Sequence, residues 1–125
     1  MYINLPTVEE RYDEESKTVI VTESTLQVDI DTSFYAHQKW AEQFERTMGM
    51  DLIQYTNIVS KWVLEPERAV EKLLGISKLL YCYINSPKLP TFNDFLKFFK
   101  PRNALAVIEK VNVVLQEVNK TVSKN

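Results

Sequence analysis

Apolar positions along this chain change rhythm near residue 31, from strand-like patterning before it to helical spacing after it. Residues 2–5, Tyr-Ile-Asn-Leu, read as a short edge strand ended by Pro6, since proline cannot donate to a β-ladder. Residues 17–22 are rich in β-branched side chains, and residues 26–30 alternate cleanly, with Leu26, Val28 and Ile30 on one face. Two short strands turning at Glu23-Ser24 are therefore expected, without the Asn-Gly or Asp-Gly that a tight hairpin prefers. An isolated hairpin is marginal in water and must lean on the helices that follow.

Thr32 or Ser33 is the expected cap of a first helix, which carries Phe34, His37, Trp40, Ala41, Phe44 and Met48 at three- and four-residue spacing. Gly49 supplies its permissive stop. Asp51 is expected to cap a second helix bearing Leu52, Tyr55, Val59, Trp62 and Val63. Pro66 suits the first position of a long third helix that runs to about Asn85, before Pro87 and Pro90. Thr91 with Asp94 three positions later is a capping-box variant for a short fourth helix over residues 92–99. The last helix, about residues 103–122, is the most regular signal. Ala104, Ile108, Val111, Leu115, Val118 and Val122 recur at spacings of 4, 3, 4, 3 and 4, and Val107 and Val114 widen the stripe. Valine is a mediocre helix former, so this helix draws its stability from tertiary or partner contacts.

Together these elements predict a mainly α protein: a compact bundle of about five helices over residues 32–125, preceded by an acidic lead-in and short β-hairpin over residues 1–31. Length changes little in that picture, because 125 residues fit one domain. Having only Gly49 and Gly75 as glycines, the chain is poorly suited to the many tight turns of a sandwich or barrel.

Charge adds an asymmetry. Residues 9–31 hold eight acids against two bases, net −6, whereas residues 66–125 hold ten bases against five acids, net +5. The bases are scattered among acids rather than gathered into a stripe, which argues against nucleic-acid binding. The lone cysteine, Cys82, lies in the apolar run of residues 79–84, where a thiol is a small buried hydrophobe rather than a nucleophile. No apolar run reaches transmembrane length, and the N-terminal residues lack a signal-peptide layout, so no membrane partner and a cytoplasmic location are expected.

Searching for chemistry returns little. There is no phosphate-binding glycine loop, no nucleophile elbow and no Cys or His pair at metal-ligand spacing, so no cofactor and no metal are expected. His37 is the only histidine and sits on an aromatic helix. The clustered acids Glu9, Glu10, Asp13, Glu14 and Glu15 share one solvated environment, whereas acid–base catalysis needs carboxylates whose environments differ. A noncatalytic, protein-binding role is the expectation. Its candidate surfaces are Phe92, Phe95, Phe98 and Phe99, bounded by Lys97, Lys100 and Arg102, and the seam Ile108, Val111, Leu115, Val118 and Val122. The same seam is expected to support a homo-oligomer.

Residues 30–36, Ile-Asp-Thr-Ser-Phe-Tyr-Ala, with Trp40 and Phe44 after them, resemble the opening helix of tail-assembly chaperones from long-tailed phages of Gram-positive bacteria. Residues 51–55, 79–84 and 90–95 continue the resemblance, which covers about residues 30–99; the hairpin and the valine-rich last helix lie outside it. It implies a factor that binds the tape-measure protein and helps recruit tail-tube subunits, acting in the host cytoplasm and absent from the mature virion. The alternative is a small phage or bacterial regulatory protein that binds and inhibits a host protein.

Overall fold

The computed structural model describes residues 1–97 and 100–123, apart from the side chains of Pro101 and residues 121–123. Strands β1 (Tyr2–Asp13) and β2 (Thr18–Ile30) lead into helices α1 (Phe34–Gln43), α2 (Glu45–Met48), α3 (Leu52–Trp62), α4 (Pro66–Glu71) and α5 (Leu73–Tyr83). A two-residue strand β3 (Ile84–Asn85), helix α6 (Phe92–Leu96), a 3-10 turn (Pro101–Asn103) and helix α7 (Ala104–Ser123) complete the order. The strands form one antiparallel sheet in the order β1-β2-β3.

This is a mixed α/β domain, not the mainly α five-helix bundle that the periodicity predicts. The hairpin accounts for most of the difference. β1 pairs with β2 without interruption from Tyr2↔Asp29 to Asp13↔Thr18, so residues 6–13, expected as an acidic lead-in, are ladder. Glu23-Ser24 lies inside β2, and the reversal falls at residues 14–17. There the Asp13 carboxylate accepts from the Glu15 amide and the Ser16 hydroxyl, and Lys17 takes a left-handed φ of 54°. Near the tip both faces meet water, so no apolar alternation marks the strand; cross-strand backbone bonds hold it.

Two predicted helices are each broken into two. Phe44, at φ −129°, separates α1 from α2, and Lys72, at φ −103°, separates α4 from α5. The second break leaves α4 against α7 while α5 packs on α1, α3 and α7. The third predicted helix also ends early, at Tyr83, because Ile84 and Asn85 leave it to pair with Ile30 and Asp29. The Asp31 amide then donates to the Tyr83 carbonyl at 2.7 Å.

Local capping follows the sequence closely. Ser33 Oγ accepts from the Tyr35 amide, Asp51 and Gln54 complete a reciprocal capping box, and Thr91 Oγ1 accepts from the Asp94 amide. Gly49 ends α2 in the left-handed conformation, φ 72°. One core joins the body-facing base of the hairpin (Ile3, Leu5, Val28, Ile30) to Trp40, Leu52, Val59, Leu79, Leu80, Val107 and Val111. Each such side chain, removed from water, contributes roughly 1.5–3 kcal/mol before entropy is charged. α5 is the hub: Ile76, Leu79, Leu80, Tyr81, Cys82 and Tyr83 are all buried.

Candidate protein-binding groove

Of the predicted aromatic surface, Phe92 and Phe95 are built into the body. Phe95 is fully buried, and Phe92 is half-buried against Phe44 and Tyr81, with ring centroids 5.0 and 5.6 Å away. Phe98 and Phe99 lie outside the described residues. On the last helix, Ile108, Val111 and Leu115 are buried in the core alongside Val107 and Val114. Val118 is partly buried against the core edge, and the side chain of Val122 lies outside the described set. The expected seam is thus the face by which α7 docks on α3, α4, α5 and β1.

Val118 also lines a groove that brings α7 together with the N-terminal starts of α1 and α3. The groove, of about 340 Å³, opens between these elements, lined by Thr32, His37, Ile53, Thr56, Asn57, Tyr83, Val118 and Asn119. Its position follows from two caps. Ser33 starts α1 so that Phe34 and His37 fall one turn apart, and the Asp51 box starts α3 so that Ile53 falls in its first turn, on the opposite wall. The core faces of both helices turn inward, which leaves Phe34 89% exposed and Ile53 61% exposed.

The floor is polar and already satisfied. Thr56 Oγ1 donates to the Leu52 carbonyl at 2.7 Å and shares a 3.0 Å hydrogen bond with the Tyr83 hydroxyl. Burial pushes the Tyr83 phenol above its ordinary pKa, and the Thr56 bond only partly offsets this. The His37 ring meets Tyr83 edge-on, centroids 6.5 Å apart, and Phe34 at 6.2 Å. The Thr56 bond fixes the Tyr83 hydroxyl in the floor of the groove. An apolar rim over satisfied polar groups suits a partner that brings apolar side chains.

No family model, curated protein or solved structure matches this chain. Among the described residues no helix is long and apolar enough to cross a membrane.

Nearby, Lys39 is a buried cation that the spacing of α1 gives no reason to single out. Its ammonium donates to the carbonyls of Tyr81 (3.1 Å) and Ile84 (2.8 Å) and lies about 5 Å from the Tyr35 and Tyr81 rings. The C-terminus of α5 leaves carbonyls free, and Lys39 satisfies them from another helix. Desolvation lowers its pKa, against the raising influence of Cys82 and Asp31. Cys82 is buried, and desolvation carries its thiol up to about 12, so it is chemically quiet at neutral pH.

Proposed function

We propose that this chain is a noncatalytic tail-assembly chaperone, which binds a tape-measure protein and helps gather tail-tube subunits in the host cytoplasm without entering the finished virion. The observation that supports this reading is the groove edged by Ile53 and Val118 over a hydrogen-bonded floor, with the exposed Phe34 ring beside its lining residue His37. A long, helix-rich client presents apolar faces that remain unpaired until its own assembly is complete. Helix-in-groove recognition matches that need, with apolar anchors of the client entering beside Ile53 and Val118. The wall residues Thr32, Asn57 and Asn119 are uncharged, so hydrophobic burial supplies most of the attraction.

The test is co-expression with a tape-measure protein from a long-tailed phage of a Gram-positive host. The client is expected in the soluble fraction only when this chain is present. It should return to the pellet with the double variant Phe34→Glu, Ile53→Glu, whose circular dichroism stays that of the parent. Equal client solubility with and without the chain overturns the reading.

A further inference from the structure

The two edges of the hairpin are treated differently. Along β1, Pro6 faces outward, where its missing N–H costs no ladder bond, and its carbonyl accepts from Asn103 Nδ2 at 3.2 Å. Arg102 reaches Glu10 at 3.4 Å, so the 3-10 turn and α7 shield this edge as far as residue 10. Among the described residues, the outer edge of β2 is met by β3 alone, at Asp29 and Ile30. Among the described residues, nothing pairs with the outer edge of residues 18–28.

Which backbone groups are free follows from the register. The Ile30 amide donates inward to Met1, and the Asp31 amide donates outward to Tyr83. Even-numbered residues of β2 therefore bond β1, and Val19, Val21, Glu23, Thr25 and Gln27 aim their N–H and C=O groups at solvent. Natural edges are blunted by lysine, proline or a bulge; residues 18–28 have neither residue type, and the ladder runs without a break. Thr18, Val19, Ile20, Val21, Thr22 and Thr25 are all β-branched.

We propose that the β2 edge pairs antiparallel with the β2 edge of a second copy of this chain, across a two-fold axis at Thr22. Charge selects both the occupant and the register. The arm is acidic at its tip, so a parallel neighbour would stack Asp13, Glu14 and Glu15 on their own counterparts. Antiparallel pairing sends the tips to opposite ends. Residues 18–28 carry one charge, Glu23, so a second β2 strand meets little repulsion. Centring the pair on Glu23 would set two carboxylates face to face. Centring it on Thr22 keeps residues 18–26 overlapped, with Val19 opposite Thr25 and Val21 opposite Glu23. Each tip then extends toward the β3 end of the other copy, where Lys88 follows the strand and is exposed. About eight backbone hydrogen bonds form, two for each of the outward residues within the overlap. The two-fold makes the assembly closed.

Two variants read this independently of the groove. Val21→Pro removes an amide that faces solvent in the monomer and leaves the β1 ladder intact. Thr22→Cys places two thiols at a non-hydrogen-bonded pair about 4.5 Å apart between Cα atoms, while native Cys82 stays buried. In sedimentation equilibrium the parent is expected at twice its 14.6 kDa mass, and Val21→Pro at the monomer mass with unchanged circular dichroism. Mild oxidation is expected to convert Thr22→Cys, but not Glu14→Cys, to a covalent dimer. A parent that stays monomeric up to sub-millimolar concentration overturns the proposal. So does a dimer that survives Val21→Pro, or failure of Thr22→Cys to cross-link. Were Val21→Pro to unfold, the cross-link alone would decide.

Discussion

Gly75 lies in α5 where the Tyr55 hydroxyl occupies the space a β-carbon would need. Glycine inside a helix ordinarily costs up to about 1 kcal/mol relative to alanine, so Gly75→Ala would be stabilising if the space were free. It is not, and the substitution is expected to destabilise by about 1–3 kcal/mol through overpacking. Tyr55→Phe withdraws the blocking oxygen, leaving the nearest ring carbon 3.4 Å from the new methyl. Gly75→Ala should then be close to neutral in the Tyr55→Phe background, and a double-mutant cycle by urea denaturation measures the difference. Lys39 gives a second local test. Lys39→Met keeps much of the packing but strands the Tyr81 and Ile84 carbonyls. A loss of about 2 kcal/mol is expected from the same measurement.

Among the elements, helix starts were the most legible feature, because a cap needs only a side-chain oxygen at the right offset. Ser33, Asp51 and Thr91 all behave as their spacing predicts. The breaks at Phe44 and Lys72 were not legible, since neither position carries proline or glycine and each break serves a tertiary fit. The distal hairpin left no apolar alternation because its side chains have no buried face to match. For the groove, Val118 stood in the sequence as part of a seam and Phe34 as part of the apolar face of the first helix, yet Phe34 is exposed, and Ile53 gave no signal: helical spacing tells which residues share a face, not which face a neighbour leaves uncovered. That distinction is measurable on α7. Val111→Asp puts a carboxylate in the core and should abolish the cooperative thermal transition. Val118→Asp, at the groove edge, should cost less than about 1.5 kcal/mol while weakening retention of a tape-measure client.

For the molecule as a whole, the packing of α5 makes stability sensitive to alkali. Burial raises the Cys82 thiol from 9.0 to about 12 and the Tyr55 phenol from 10.0 to about 12, and it raises Tyr81 and Tyr83 as well. A group whose folded pKa exceeds its unfolded one holds extra protons in the native state, so its contribution is complete below the unfolded value and lost above it. Stability is therefore expected to be level up to about pH 9 and to fall steadily from there toward pH 12. Lys39, with a lowered pKa, acts in the opposite sense. Denaturation midpoints measured in steps from pH 8 to pH 11.5 check this. Cys82→Ala should delay the onset to about pH 10, where the tyrosines begin to ionise in the unfolded chain.

The reversal at residues 14–17 is held by Asp13, Ser16 and Thr18, all near one another in the chain, with both faces of the neighbouring ladder in water. An arm anchored at its base and self-contained at its end can accept cargo. A short epitope or fluorophore-binding peptide spliced between Glu15 and Ser16 would ride on the tip without reaching the core. The position offers an engineering handle for following the protein through the events it attends.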